Sequence, residues 1–92
     1  MSLEELLREL NIDKDYIENE NGSYTIELDN SNEYSRYYTR IDKSGLFEED
    51  EEASQITIDT STLQFINDDF VLTLMGNFDT DEYSLIIREL DD

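Results

Sequence analysis

The residue type best supplied to do chemistry in this chain is the carboxylate, and it comes in runs. Glu48-Glu49-Asp50-Glu51-Glu52 stand in succession, Asp68-Asp69 form a pair, and Asp79, Asp81 and Glu82 crowd one short stretch. Carboxylates in such numbers can ligate a hard cation, share a proton as an acid–base pair, or stand as fixed negative charge against a basic surface. A calcium loop is the most specific of these. Asp29-Asn30-Ser31-Asn32-Glu33-Tyr34 opens in that manner, but Tyr34 takes the sixth position, where glycine makes the sharp turn. The twelfth position falls at Thr39 or Arg40, depending on register, where glutamate is needed. Glu48 to Glu52 can attract divalent cations weakly, but no metal site and no cofactor is assigned.

Catalysis by other routes lacks its parts. The chain has no histidine and no cysteine, hence neither the commonest general base nor a thiol nucleophile, disulfide or zinc-thiolate site. Gly22, Gly45 and Gly76 are isolated, so no glycine-rich loop can cradle a phosphate, and there is no Gly-x-Ser-x-Gly elbow. Paired acids for glycoside hydrolysis need a cleft around a sugar, which is hard to build in 92 residues. The chain reads as a binding protein and not as an enzyme.

Charge is the extreme property: 25 acids against 6 bases, a formal net of −19. Leu, Ile, Val and Phe make up 27% of the residues, above the roughly 20% below which such charge implies disorder. A single folded domain over residues 1–92 is expected. Its diameter should be roughly 30 Å, and duplex DNA carries 19 charges in about 32 Å of axis. The chain thus packs roughly the charge of DNA into the length of DNA. Halophilic adaptation and simple solubility are the plain alternatives. Direct binding to nucleic acid or an anionic membrane is disfavoured. Met1-Ser2-Leu3-Glu4-Glu5 lacks the basic, apolar start of a secretory signal, so the cytoplasm is the expected location.

The elements that must position these acids are mostly strands. Leu3, Leu6, Leu7 and Leu10 fall on one stripe of a short amphipathic helix, with Ser2 as its cap and Glu5 closing a capping box. Asn21-Gly22 marks a hairpin between Asp15–Asn19 and Ser23–Leu28. Asp29 to Asn32 reads as a turn, and Tyr34 to Asp42 as a returning strand with Tyr34, Arg36, Tyr38 and Arg40 on one face. The five-acid run is expected as a mobile loop. Gln55–Asp59 and Thr62–Ile66 alternate as two strands around Thr60-Ser61. Phe70–Met75 and Tyr83–Leu90 then form the central hairpin, joined by a loop that Gly76 opens. Both strands carry apolar residues on both faces, which calls for cover on both sides. The expected class is α+β: a short N-terminal helix packed on an antiparallel sheet of about six strands in largely meandering order.

Size, acidity and β-rich pattern together resemble the small acidic inhibitors of phages and mobile elements, the anti-CRISPR and anti-restriction DNA mimics. The likeness covers the whole chain and is carried by charge, not by a motif, so no residue roles transfer with it. It implies a stoichiometric inhibitor blocking the DNA- or RNA-binding surface of a host defence nuclease. The implied partner is a basic nucleic-acid-binding protein, a CRISPR effector or restriction nuclease, met in the host cytoplasm by a phage-encoded monomer or homodimer. Contacts are then expected from Glu48 to Glu52, Asp68, Asp69, Asp79, Asp81 and Glu82. An immunity protein or antitoxin against a nuclease toxin would present acids in the same way. A third possibility is an assembly subunit held through Tyr34, Arg36, Tyr38 and Arg40, since residues 21–45 are nearly neutral and rich in tyrosine.

Overall fold

In the computed structural model, residues 1–90 are described; the two acids that close the sequence, Asp91 and Asp92, lie outside them. Helix α1 (Leu3–Glu9) begins where Ser2 Oγ accepts from Glu5 N at 3.2 Å. It ends as Asn11, at φ 57°, lets Asn11 N reach Arg8 O and Ile12 N reach Leu7 O. That pair of bonds satisfies the last carbonyls of the helix. Leu3, Leu6 and Leu10 are buried, so the stripe docks as expected.

Seven strands follow: β1 (Ile17–Glu18), β2 (Tyr24–Leu28), β3 (Glu48–Glu49), β4 (Gln55–Ile56), β5 (Thr60–Ile66), β6 (Phe70–Asn77) and β7 (Glu82–Glu89). All pair antiparallel in the order β1-β2-β7-β6-β5-β3, with β4 also on β5. The α+β architecture therefore stands, and the β6–β7 hairpin lies centrally in the sheet.

The expected strand over Tyr34–Asp42 is instead helix α2 (Ser31–Ser44), which carries the chain from β2 over to the far edge at β3. Asn30 caps it, its Oδ1 accepting from Glu33 N at 2.9 Å, and Gly45 closes it in the left-handed region at φ 71°. Tyr34, Tyr37 and Ile41 recur at helical spacing and are buried on the sheet. The crossover replaces the expected meander at this point.

Helices cover one face alone. Ile26, Leu28, Leu63, Phe65, Leu72, Leu74, Leu85 and Ile87 meet the Leu stripe and the α2 tyrosines in one core. Among the described residues no element covers the opposite face: Val71 is buried apart from this core, and Met75 is 39% exposed. Cover on both sides, expected from the apolar pattern, is absent because Thr25, Thr62, Thr73 and Ser84 supply polar positions between the apolar ones.

Gly76 does not open a loop but sits within β6. A Cβ there would lie 3.0 Å from the Tyr83 ring and 3.1 Å from that of Tyr34. Glycine thus admits the cluster of Tyr34, Phe78 and Tyr83, whose ring centroids lie 5.6–6.0 Å apart. Gly76→Ala should destabilise the protein by about 1–3 kcal/mol through overpacking, measurable by urea unfolding.

Lys14 fastens the start of α2 to the preceding loop, pairing with Glu33 and, at 3.2 Å, with Asp29. Glu33 also accepts from Asp29 N at 3.0 Å. The hydrogen bond from Lys14 holds the Glu33 carboxyl below the usual carboxylate range, against the opposing effect of burial. A group whose pKa is depressed on folding contributes stability above its unfolded pKa and loses it as pH falls through the folded value. The destabilisation caused by Lys14→Met should therefore be full at neutral pH and shrink on acidification below about 4. A pH series of urea melts on both proteins checks this; a penalty unchanged at low pH would contradict it.

Candidate functional site

Strand β5 is the axis on which the acids are arranged. Two short strands meet its outer edge: Glu48 and Glu49 of β3 oppose Ile66 and Phe65, and Gln55 and Ile56 of β4 oppose Thr62 and Ser61. Between them the chain turns outward while remaining pinned to the edge. Asp50 N donates to Gln64 O at 2.7 Å, and Gln64 N donates to Ser54 Oγ at 3.1 Å. Ala53 N and Ser54 N donate to Asp50 O at 3.2 and 3.1 Å. The acid run is thus not a free loop, as expected from its composition, but a hydrogen-bonded strand and turn with Glu48, Glu49, Glu51 and Glu52 exposed. Pairing to β5 satisfies the backbone while the side chains keep their water, so the acids lose little by being placed there.

At the Ile66 end, Asn67 Oδ1 accepts from Asp69 N at 2.8 Å and Phe70 N at 2.7 Å, and Asn67 Nδ2 donates to Leu46 O at 3.2 Å. These bonds set Asp68 and Asp69 beside the chain entering β3. At the Thr60 end, Phe78 N donates to Asp59 O at 2.7 Å, joining the β4–β5 turn to the β6–β7 loop. In that loop Asn77 Oδ1 accepts from Asp79 N at 3.0 Å and Thr80 N at 3.2 Å. Asp81 takes the left-handed conformation, φ 58°, which aspartate tolerates better than most residues.

The outer edge of β5 therefore carries Glu48 to Glu52, with Asp68 and Asp69 in the turn at its Ile66 end, while at its Thr60 end Phe78 ties the loop of Asp79 and Asp81 to Asp59. Glu82 opens the interior strand β7, so it and Asp81 stand at the end of the sheet beside this ridge and not on its edge. The seven residues of β5 span about 23 Å, over which duplex DNA displays about 14 phosphates. Asp59 joins the ridge unannounced, since its place depends on a contact with Phe78, nineteen positions along the chain. Of these acids only Asp50 is partly buried. Among the described residues the ridge makes a single ion pair, Met1 amino group to Asp69 at 3.2 Å.

Such charge opposes folding at low ionic strength. Melting temperature should rise as NaCl increases from a few millimolar to several hundred, because the Debye length contracts to about 10 Å at 0.1 M. Scanning calorimetry reads this directly; a flat profile would mean the carboxylates are neutralised by bound cations.

Tyr34, Arg36, Tyr38 and Arg40 do not share a face. On α2 the tyrosines turn toward the sheet and the arginines away. Tyr34 is buried and donates its hydroxyl to Ser61 Oγ at 2.8 Å. Arg36 lies 3.9 Å from Glu33, while Arg40 donates to Asn11 O at 3.1 Å and stacks 5.4 Å over Tyr37. The four side chains thus stand at separate places on α2, with Arg36 and Tyr38 exposed. Among the described residues no helix is long and apolar enough to cross a membrane. In comparisons with protein-family models, curated proteins and solved structures, the chain matches none.

Proposed function

We propose that the protein is a stoichiometric inhibitor that stands in for nucleic acid, occupying the DNA- or RNA-binding groove of a basic nuclease of host defence, in the manner of anti-CRISPR and anti-restriction proteins. The observation that carries this reading is the ridge along β5: exposed carboxylates from four separated segments, aligned by backbone bonds over about 23 Å. A groove built for phosphates presents Lys and Arg at matching intervals, and fixed carboxylates meet them without ordering a flexible segment first.

The overall dimensions agree with that use. The principal extents are 36 × 28 × 28 Å, so the long axis matches about 21 phosphates of duplex, close to the formal net charge of −19. The inhibitor would act by exclusion alone and needs no catalytic group.

Affinity capture from bacterial lysate with the immobilised protein tests the proposal. A nucleic-acid-binding protein should be retained at low salt and released both by added NaCl and by added DNA or RNA. Capture of a partner that salt and nucleic acid leave in place would overturn it.

A further inference from the structure

Beside the ridge, α2 and the β3–β5 edge enclose a groove of about 650 Å³. Its lining joins the buried Tyr34 and Leu63 to the exposed Tyr38 and Ile56, with hydroxyls of Ser35, Thr39, Ser54 and Ser61 among them. Glu49 and Glu51 are exposed and, among the described residues, are the only charged ones that line it. Tyr38, 36% exposed, is braced edge-on against Phe65 at 5.9 Å, so its ring is held in place rather than free. Ile56 is 73% exposed and Ile58, at the tip of the adjoining turn, 94% exposed. Large β-branched side chains held out to water by a tight hydrogen-bonded turn contribute nothing to the core of this chain.

The chemistry of this lining selects one kind of occupant. A fixed aromatic face beside aliphatic side chains suits the flat, weakly hydrated guanidinium and its aliphatic stem, and lining carboxylates and hydroxyls accept its forked donors. Lysine offers the same charge but neither the plane nor the fork. Long-range charge mainly sets the rate of association, whereas a few desolvated anchors set the lifetime of a complex. We propose that this groove is where the partner is gripped: it takes an arginine-bearing segment of the basic protein, with guanidinium against Tyr38 between Glu49 and Glu51. This rests on the reading of the protein as a ligand for a basic surface and adds to it the place and the side chain that hold.

Arginine and lysine homopeptides of equal length are suitable probes, followed by chemical shifts of the full chain. The arginine peptide should bind more tightly and shift Tyr38, Thr39, Ile56 and Leu63 saturably. Tyr38→Leu, which keeps an apolar contact to Phe65, should weaken the arginine peptide roughly threefold to tenfold and leave the lysine peptide nearly unchanged. Glu51→Gln, at an exposed position that does not endanger folding, should weaken both peptides, arginine more. Glu18→Gln with Glu20→Gln removes charge at the opposite edge and should preserve the arginine preference. Equal affinity for the two peptides, with shifts spread along all the acids, would overturn the groove while leaving the ridge in force. Absence of binding to either peptide at low salt would overturn both the groove and the reading on which it rests.

Discussion

Replacing Leu74 with alanine should lower the free energy of unfolding by about 2–5 kcal/mol. Leu74 is fully buried, and in the sheet it lies between Leu63 of β5 and Leu85 of β7. The hairpin it belongs to joins β2 on one side to β5 on the other, so a cavity here loosens both the core and the strand to which the acid run is pinned. Helix α2 rests against β6 and β7 as well, which limits how far the site can collapse around the missing atoms. Chemical denaturation of the two proteins in the same buffer measures the difference. A loss below about 0.5 kcal/mol would mean that the hairpin is peripheral to stability.

The second large effect concerns association. Neutralising Glu48, Glu49, Asp50, Glu51 and Glu52 together, as Gln and Asn, should slow binding to the basic partner by roughly tenfold or more and flatten its dependence on salt. Glu48, Glu49, Glu51 and Glu52 are exposed, so folding should survive. Asp50→Asn keeps the side-chain oxygen that accepts from Ala53 N, and the bonds of Asp50 N and O belong to the backbone. Stopped-flow or surface-based kinetics would separate the association rate from dissociation. An association rate unchanged by the loss of these charges would remove the ridge from the recognition event.

Local pattern carried part of this fold plainly and obscured another part. The Leu3–Leu10 stripe, the Ser2 cap and the two apolar runs at Phe70 and Tyr83 each state one structure, and each adopts it. The stretch from Ser31 to Ser44 states two. Tyr34, Arg36, Tyr38 and Arg40 alternate at the period of a strand, and Tyr and Thr favour strands. The same residues also hold Tyr34, Tyr37, Tyr38 and Ile41 at helical spacing, behind Asn30 and Glu33 as cap and third residue and ahead of Gly45. Those end signals, and a length beyond that of ordinary strands, decide for helix. Burial then follows from it, since a helix places Tyr34 and Tyr37 together on the sheet, whereas a strand would have turned them to opposite faces.

The site was legible as composition and not as geometry. Acids in turns are exposed for reasons any sequence displays. Their alignment depends on Glu48 lying opposite Ile66, on Asp50 N bonding Gln64 O, and on Phe78 N bonding Asp59 O. Each is a tertiary contact with no local signal. The acid run looked mobile because five like charges repel; pairing its backbone with β5 secures the chain and leaves the charges to water.

Competition with nucleic acid separates occupation of its groove from binding elsewhere on the partner. With the captured partner, the apparent dissociation constant of this protein should be measured at fixed salt against increasing concentrations of the nucleic acid that the partner binds. Occupation of one groove by either ligand predicts a linear rise without limit. An apparent constant that does not move, or that levels off as a ternary complex forms, would contradict the claim that the carboxylate ridge takes the place of phosphates.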